Sequence, residues 1–509
     1  MIDQGREDGK MTTSEQNRPI PRIPKGFKDT FADDVVARRT MIETIRGVYE
    51  RYGFEPLETS AVEYVEVLGK FLPESDTPEG GIFAFDDDGE WNALRYDLTA
   101  PLARVVAQYG NQLPMPFRRY QVGPVWRREK PDPGRFREFI QFDIDTVGTA
   151  SMAADAEVCA VVAESLEALG LQRGNYIIRV NNRKVLNGVL EAIGLSFVDP
   201  EVTKARHLAV FRAIDKLDRV GVDGVRELLG EGRRDPSGDF TAGAQLDTRQ
   251  ADLVLQFVQS GGHDRAVVCA QLAELVEKSR VGREGVQELQ QIHELLEVMG
   301  FDSDRVAFDP SIVRGLEYYT GPVFEATLTF ESADQEGRRR PFGSVAGGGR
   351  YDDLVQRFTG TLVPATGFSI GVDRLLTALK TRGGAETAAW QGPVVVTIMD
   401  PHRFPEYQRM VTDLRTAGVA AELYLGAGNM RRQLQYADKR KAPIAVIAGE
   451  DEFARNEVSL KDLRLGRELA QTIQNRQEWL ERQPAQVAVA REDLVSKIRE
   501  ILARAASSA

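Results

Sequence analysis

Five cations crowd one short stretch of this 509-residue chain. Arg127, Arg128, Lys130, Arg135 and Arg137 surround a Pro/Gly turn in PVWRREKPDPGRFREFIQFDID, residues 124–145. A planar guanidinium can bind two phosphate oxygens at once, so arginines on a loop between rigid strands suit a polyphosphate. From Phe136 onward Phe, Ile and Val alternate with Glu, Gln and Asp. That predicts a strand with one polar face, turned toward water or a ligand. A solvated charged hairpin is the competing reading, and the aromatic alternation weighs against it.

Three further segments carry chemistry. In DPSIVRGLEYYTGPVFEAT, Arg314 and the pair Tyr318–Tyr319 precede a TGP turn and a strand. Adjacent tyrosines on a strand face opposite ways, so one can line a pocket while the other packs. Ordinary core filling is the alternative for both. SVAGGGRYDDL (344–354) holds three glycines, which permit positive φ and close backbone approach to a small ligand. TGFSIGVDRLLTAL (366–379) reads as a strand entering a helix near Val372, with Arg374 in the first helical turn. A cation there opposes the helix dipole, so it serves an anion better than it serves the helix. The GxGxxG order is missing, and Gly69-Lys70 is followed by Phe71 with no Gly at position 64. A nucleotide would therefore bind outside both the dinucleotide and the P-loop schemes.

The elements that must position these residues follow from periodicity. Val35, Val36, Ile42, Ile45, Val48, Tyr49 and Tyr52 predict a helix over 34–52, stopped by Gly53 and followed by an extended segment to Val62. GGIFAFDDDGEW reads as a hairpin, and NALRYDLTAPLARVVAQYG as strand, turn and helix. A helix over 155–169, a strand over 176–182 and a helix over 183–194 come next. Residues 199–300 are almost all helical by period, with glycine breaks at 229–238 and 261–262, and strand text returns from 306 to 382. This predicts an α+β domain interrupted by a helical insertion. GGAETAAWQG is a linker by composition. Strands at 394–399, 421–425 and 444–449 then alternate with helices at 405–417 and 429–441, the pattern of a separate α/β domain with a parallel sheet. The boundaries expected are a disordered arm 1–18, a first catalytic part 19–198, the insertion 199–303, a second catalytic part 304–382, the linker 383–392 and the last domain 393–509.

Composition excludes other classes. Apolar residues at 42% and charged residues at 28% suit several packed cores, not a disordered, collagenous or disulfide-stapled chain. No run approaches 18 apolar residues, and the polar start MIDQGREDGKMTTSEQNRP lacks the apolar centre of a signal peptide. Cys159 and Cys269 sit in Ala/Val-rich helical text and are expected as buried free thiols of a cytoplasmic protein. The four histidines lie far from other His or Cys at ligand spacing, so no protein zinc site is expected. The net charge of −12 argues at first against a nucleic-acid partner. From Gly392 to Ala509, however, 18 Lys/Arg face 16 Asp/Glu, and Arg431, Arg432, Lys439, Arg440 and Lys441 cluster on one helix. A local basic surface of that kind can meet RNA phosphate on an anionic molecule.

Taken together, these segments resemble the histidyl-tRNA synthetases, a class II aminoacyl-tRNA synthetase family. RGLEYYTG resembles the first histidine-specific signature of that family and AGGGRYDDL the second. PVWRRE and GRFREFIQFDID are similar to class II motif 2, and GFSIGVDRL to motif 3. YGFEPLETSAVE stands at motif 1, with Ser60 where the family usually has proline. YADKRKAPIAVIAGEDE and VSLKDL resemble the anticodon-binding domain. The resemblance implies a class II antiparallel-sheet catalytic domain with a helical insertion, plus a C-terminal α/β anticodon-binding domain. It implies a cytoplasmic homodimer, with no membrane association, that activates L-histidine with ATP and Mg²⁺ and passes it to tRNA(His). Arg127 would hold the α-phosphate, Glu129 the adenine amino group, Arg135 the terminal phosphates and Arg374 the γ-phosphate. Arg314 would be a further catalytic arginine on the α-phosphate. Asp97, Thr99 and Gln141 would bind the α-amino group, while Asp145 and Tyr319 bracket the imidazole. Tyr351 and the glycines of 347–349, Gly348 among them, would form the floor, Tyr318 would also bind histidine, and Arg431, Arg432, Lys439 and Arg440 would meet tRNA. A histidine-sensing regulatory subunit of ATP phosphoribosyltransferase is the alternative, but such paralogues typically lose the catalytic arginine and the anticodon domain. A class II enzyme for threonine, proline or glycine would leave the two histidine signatures unexplained.

Overall fold

The computed structural model describes residues 19–69, 81–129, 136–195, 200–235, 238–262, 264–313, 319–333, 339–382, 390–466 and 485–507. The expected arm 1–18, most of the linker, and Arg135, Arg314 and Tyr318 lie outside the described residues. The chain divides into two compact units, Met1–Thr387 and Ala388–Ala509.

In chain order the strands of the first unit are β1 (Glu55–Pro56), β2 (Val62–Tyr64), β3 (Ala84–Asp87), β4 (Glu90–Leu94), β5 (Phe117–Trp126), β6 (Glu138–Val147) and β7 (Tyr176–Asn182). They continue as β8 (Gly232–Arg234), β9 (Phe240–Ala242), β10 (Val306–Phe308), β11 (Pro322–Ala333), β12 (Arg339–Arg350) and β13 (Ala365–Gly371). Eight of them form the main sheet in the order β1-β5-β6-β13-β12-β11-β7-β10. Its centre is antiparallel, and only the edge pairs β1–β5 and β7–β10 are parallel.

Alternation gives the sheet two chemically opposite faces. Tyr120, Phe142, Ile144, Phe368, Phe324 and Ile178 belong to one apolar core. Phe324 stacks on Phe368 at 5.8 Å, and Tyr49 meets Phe142 edge-on at 4.7 Å. Tyr49 comes from the helix Ala32–Arg51, whose buried stripe Ala37, Met41, Ile45 and Val48 repeats at helical spacing. Gly53, at φ +78°, ends that turn. The helix Met152–Ala168 is apolar almost all round and buried beneath the sheet, capped by Ser151.

The insertion departs from the all-helical expectation in one respect. A two-stranded β8–β9 hairpin interrupts its helices. Its apolar residues, such as Val254, Leu272 and Ile292, share one core with Ile178 and Phe324. The tyrosine segment also differs: Tyr319 precedes β11 instead of lying on a strand.

The second unit holds a five-stranded sheet made of β14 (Val394–Val396), β15 (Ala421–Leu423), β16 (Ile444–Ile447), β17 (Glu457–Asp462) and β18 (Gln486–Ala490), in the order β15-β14-β16-β17-β18. β14 runs parallel to both neighbours, but β17 and β18 are antiparallel, so the sheet is mixed and not parallel throughout. Only residues 448–456 separate β16 from β17. A parallel crossover needs a dozen or more residues. Cys159 and Cys269 are free and buried. Among the described residues no helix is long and apolar enough to cross a membrane.

One buried ion pair fastens the helix Met152–Ala168 to the sheet. Arg350, at the end of β12, pairs with Asp155 and donates to the carbonyls of Thr149 (3.0 Å) and Ser151 (3.3 Å). Removing one partner of a buried pair strands the other charge. Asp155→Ala is therefore expected to cost about 3–5 kcal/mol of unfolding free energy in a urea titration. A loss under about 1 kcal/mol, the value of a surface pair, would refute that role.

Candidate active site

The polar face of the main sheet is buried as thoroughly as its apolar one at β5 and β6. Arg119 and Gln121 on β5 lie opposite Asp145 and Asp143 on β6. Gln141 continues the same face, and all five side chains are buried, Arg119 completely. Across β13, Gly367 opposes Asp145, Ser369 opposes Asp143 and Gly371 opposes Gln141. Gln141 donates to Ser369 Oγ at 2.8 Å. A side chain at Gly367 would overlap the Asp145 carboxylate, which explains the residue there.

Asp145 is the best-anchored acid of this face. Its Oδ1 accepts from the Tyr351 hydroxyl, and its Oδ2 lies 2.7 Å from Arg119 Nη2. The same Nη2 donates to the Leu98 carbonyl at 3.0 Å, joining the pocket wall to the Asp97–Thr99 loop. Asp97 Oδ1 accepts from the backbone of Thr99 (3.0 Å) and Ala100 (2.9 Å), so one oxygen opens the helix Thr99–Tyr109. Burial pushes the Asp143 carboxyl up to about 7, opposed by Arg119 and reinforced by Asp145. Burial also raises Asp145, against Arg119 and the Tyr351 bond.

Toward the start of β6 the chemistry changes to cations. The Arg127 guanidinium lies 4.4 Å from the Tyr96 ring and 5.2 Å from the Phe139 ring, with Nε donating to Tyr96 O at 3.4 Å. Tyr96 in turn donates to Glu129 Oε1 at 3.2 Å. Arg374, in the first turn of the helix Val372–Arg382, donates to Phe342 O at 3.2 Å. Its neighbour Asp373 accepts from Ile140 N at 2.8 Å and from Lys28 Nζ at 3.2 Å. That contact fixes the helix start against β6.

The glycine-rich segment works differently from the expectation of positive φ. Gly347, Gly348 and Gly349 are ordinary extended residues of β12. Gly349 and Gly347 oppose Gly367 and Ser369 on the polar face, with the Tyr319 ring against Gly349. Gly348, expected at the ligand, opposes Phe368 on the core face, because alternation allows only every second residue to share a face. Tyr351 follows the strand and packs with Leu102, Val106 and Phe117 while its hydroxyl reaches Asp145. The structure thus brings together Arg127, Glu129, Asp97, Thr99, Gln141, Asp145, Tyr319, Tyr351 and Arg374 around one sheet face. Sequence reasoning missed Arg119, Asp143, Ser369 and Gly367. Their signal was the alternation itself, which sets Arg119, Gln121, Asp143 and Ser369 between apolar neighbours on strands that otherwise read as core.

In the second unit Arg431, Arg432 and Lys439 are exposed on the helix Met430–Lys439. Arg440, at its C-cap, is gripped by Glu422 through two hydrogen bonds of 3.0 and 2.9 Å.

Comparison with known proteins accounts for both units. The family profile "Histidyl-tRNA synthetase" matches residues 26–375, and the profile "Anticodon binding domain" matches residues 393–501. The chain is 59% identical to the histidine–tRNA ligase of Cereibacter sphaeroides over 488 residues, covering 95% of this chain and 98% of that protein. It is 58% identical to the histidine–tRNA ligase of Ruegeria pomeroyi, covering 96% and 98%. The crystal structure of histidyl-tRNA synthetase from Nostoc sp. superposes with a TM-score of 0.70 at 31% identity, covering 95% and 100% of the two chains.

The buried acids give a stability signature. Because the folded-state carboxyl of Asp143 sits near 7, above its ordinary value of 3.8, its contribution to stability is fully present below about 4. That contribution is lost as pH rises through about 7. Asp143→Asn removes the buried charge, so it should raise the melting temperature at pH 8 relative to pH 5 by about 2 °C or more, the shift about 1 kcal/mol produces. Calorimetry at the two pH values checks this, and an equal effect at both would sink it.

Proposed function

The chain belongs to the histidyl-tRNA synthetase family, and on that premise we propose how its residues divide the work. It ligates histidine to tRNA at the expense of ATP. The anticodon-binding domain over 393–501 speaks against the histidine-sensing regulatory subunit, which typically lacks it. The observation that carries the division of labour is the polarity of β6. Acids and amides line its C-terminal half, and the Arg127 and Arg374 cations gather about its start.

Histidine lies along the polar face, its imidazole at Asp145, Tyr319 and Tyr351 and its α-amino group at Asp97, Thr99 and Gln141. A fixed acceptor selects the ring N–H, because a competitor that leaves a buried polar group unpaired loses about 1–3 kcal/mol. Gly347 and Gly349 form the floor and Gly348 contributes only a missing side chain, while Tyr318, outside the described residues, is a further candidate for binding histidine. Arg127 holds the α-phosphate and Glu129 the adenine amino group. Arg135 and Arg374 hold the terminal phosphates, and Arg314 joins Arg127 at the reacting phosphorus. The histidine carboxylate attacks the α-phosphate, and diphosphate leaves. Negative charge grows on the phosphoryl oxygens in the transition state, and fixed guanidinium groups stabilise it without a general base. The stacking of Arg127 on Tyr96 and Phe139 is what makes its charge fixed. A hydroxyl of the 3′-terminal adenosine of tRNA(His) then attacks the histidyl carbonyl, forming the ester as the mixed anhydride breaks and AMP leaves.

Among the described residues no three His, Cys, Asp or Glu side chains are grouped to hold a metal. An Mg²⁺ arriving with ATP would be carried mainly on nucleotide oxygens and water, where it would neutralise phosphate charge. Arg431, Arg432 and Lys439 meet tRNA phosphate, and Arg440 shapes that surface through Glu422. A homodimer built on the motif 1 segment 52–63, acting in the cytoplasm where tRNA is charged, completes the reading.

ATP–pyrophosphate exchange tests it directly. Exchange should require histidine and respond to no other amino acid; stimulation by threonine or proline would sink the assignment. Arg127→Ala should lower kcat of exchange about 10²–10³-fold, the cost of removing one preorganised charge from a transition state.

A further inference from the structure

Arg119 has no role in the reading above, yet its placement is unusual. A guanidinium is rarely found fully buried, and this one is 0% exposed on β5, the second strand from one edge of the main sheet. Its charge faces two buried carboxylates, Asp145 directly across the ladder and Asp143 two residues away. The nearby buried cation Arg95 is spent on the carbonyls of Pro124, Thr59 and Ser60. Asp143 is further served by Ser369. Asp145 and Arg119 are therefore each other's principal charge. Two buried ions of opposite sign this close cost far less than either alone.

The geometry between them is informative. Arg119 Nη2 lies 2.7 Å from Asp145 Oδ2, but its aligned hydrogen bond goes to the Leu98 carbonyl. Arg119 Nε and Nη1, Gln141 Oε1 and Asp143 Oδ1 are buried without a hydrogen-bond partner among the described residues. Buried polar groups are kept in that condition mainly where a ligand or water completes them. The guanidinium thus touches both halves of the amino acid site. One contact is to the acid at the imidazole end, and the other is to the loop that carries Asp97 and Thr99.

We propose that Arg119 is the positioning residue for histidine: it holds Asp145 ionised as a pure acceptor for the imidazole N–H and ties the Asp97–Thr99 loop at the matching distance. The inference rests on reading Asp145 as the imidazole partner. With Arg119 in place, Asp145 accepts only, and a ring nitrogen bearing hydrogen is the donor that fits. Without it, a carboxyl that burial pushes toward protonation presents a hydrogen of its own, and the N–H of histidine meets a donor. The effect belongs to the amino acid and not to ATP, whose cations sit at the other end of β6.

Exchange kinetics on the full-length enzyme separate these possibilities. Arg119→Met should raise KM for histidine about 30-fold or more, as for loss of a charge-assisted buried contact, while KM for ATP stays within about threefold. Arg119→Lys restores the charge without the fork and should recover about tenfold of that loss. It also serves if the methionine variant does not fold. A parallel rise in both KM values, or an unchanged KM for histidine, would overturn the proposal. Asp145→Asn keeps the two readings apart. If it leaves KM for histidine unchanged, the imidazole assignment fails. If it raises that KM while Arg119→Met does not, only the role of Arg119 fails.

Discussion

A carboxylate inside a protein persists as an anion only when another group repays the water it has lost. In this chain that condition is met at Arg119 and Asp145, whose charges face each other across the β5–β6 ladder with no exposure to solvent. Much else about the site follows from keeping the pair dry and aligned. Tyr351 must deliver its hydroxyl from the far side, so it is packed among Leu102, Val106 and Phe117 and cannot swing away. β13 must pass beside the acid without a side chain, so position 367 is glycine. The loop before the helix Thr99–Tyr109 must stay within reach of the guanidinium, and Asp97 holds it by capping that helix.

The sheet makes this possible because its two faces do different jobs. The aromatic side, with Phe142, Phe324 and Phe368 over the helices, supplies the hydrophobic stabilisation. The other side then tolerates buried charge at a net cost. The cost is visible in the raised carboxyl of Asp143 and in Arg119 Nε and Nη1, which have no partner among the described residues. Strain of this kind is affordable where the surrounding scaffold is rigid, and it is useful where a substrate relieves it. Arg350 and Asp155 add to that rigidity by fixing the end of β12 to the helix beneath.

Much of this was legible in the residues. The alternation of FREFIQFDID announces a strand with acids on one face, and Val372 as the start of a helix carrying Arg374 in its first turn agrees with the structure. What alternation could not reveal was pairing. Nothing local to Arg119 says that it faces Asp145, because the partner lies 26 positions away and register depends on the turn between them. The glycines of 347–349 misled for the same reason. Their sequence permits positive φ, whereas the atoms that a side chain at Gly348 or Gly349 would meet belong to Gly367, Phe368, Pro322 and Tyr319. The mixed sheet of the second unit was hidden in spacing, since a nine-residue connection and a crossover helix can share a composition.

The two units place cations in the same way despite their different folds. Arg374 stands in the first turn of its helix, and Arg431 and Arg432 stand in the first turn of theirs, capped by Asn429. A cation there opposes the dipole and costs the helix about 0.3–1 kcal/mol. Helix stability therefore cannot be why these positions are basic. An anion arriving there would meet a guanidinium and the positive end of a helix dipole together. At Arg374 the reading above supplies that anion from the nucleotide, and at Arg431 and Arg432 from the tRNA backbone. Arg440, at the opposite end of the second helix, already has its carboxylate in Glu422. The net charge of −12 does not enter into this balance. Screening confines each surface charge to roughly 8–10 Å, so a phosphate responds to the residues it meets and not to the sum over the chain.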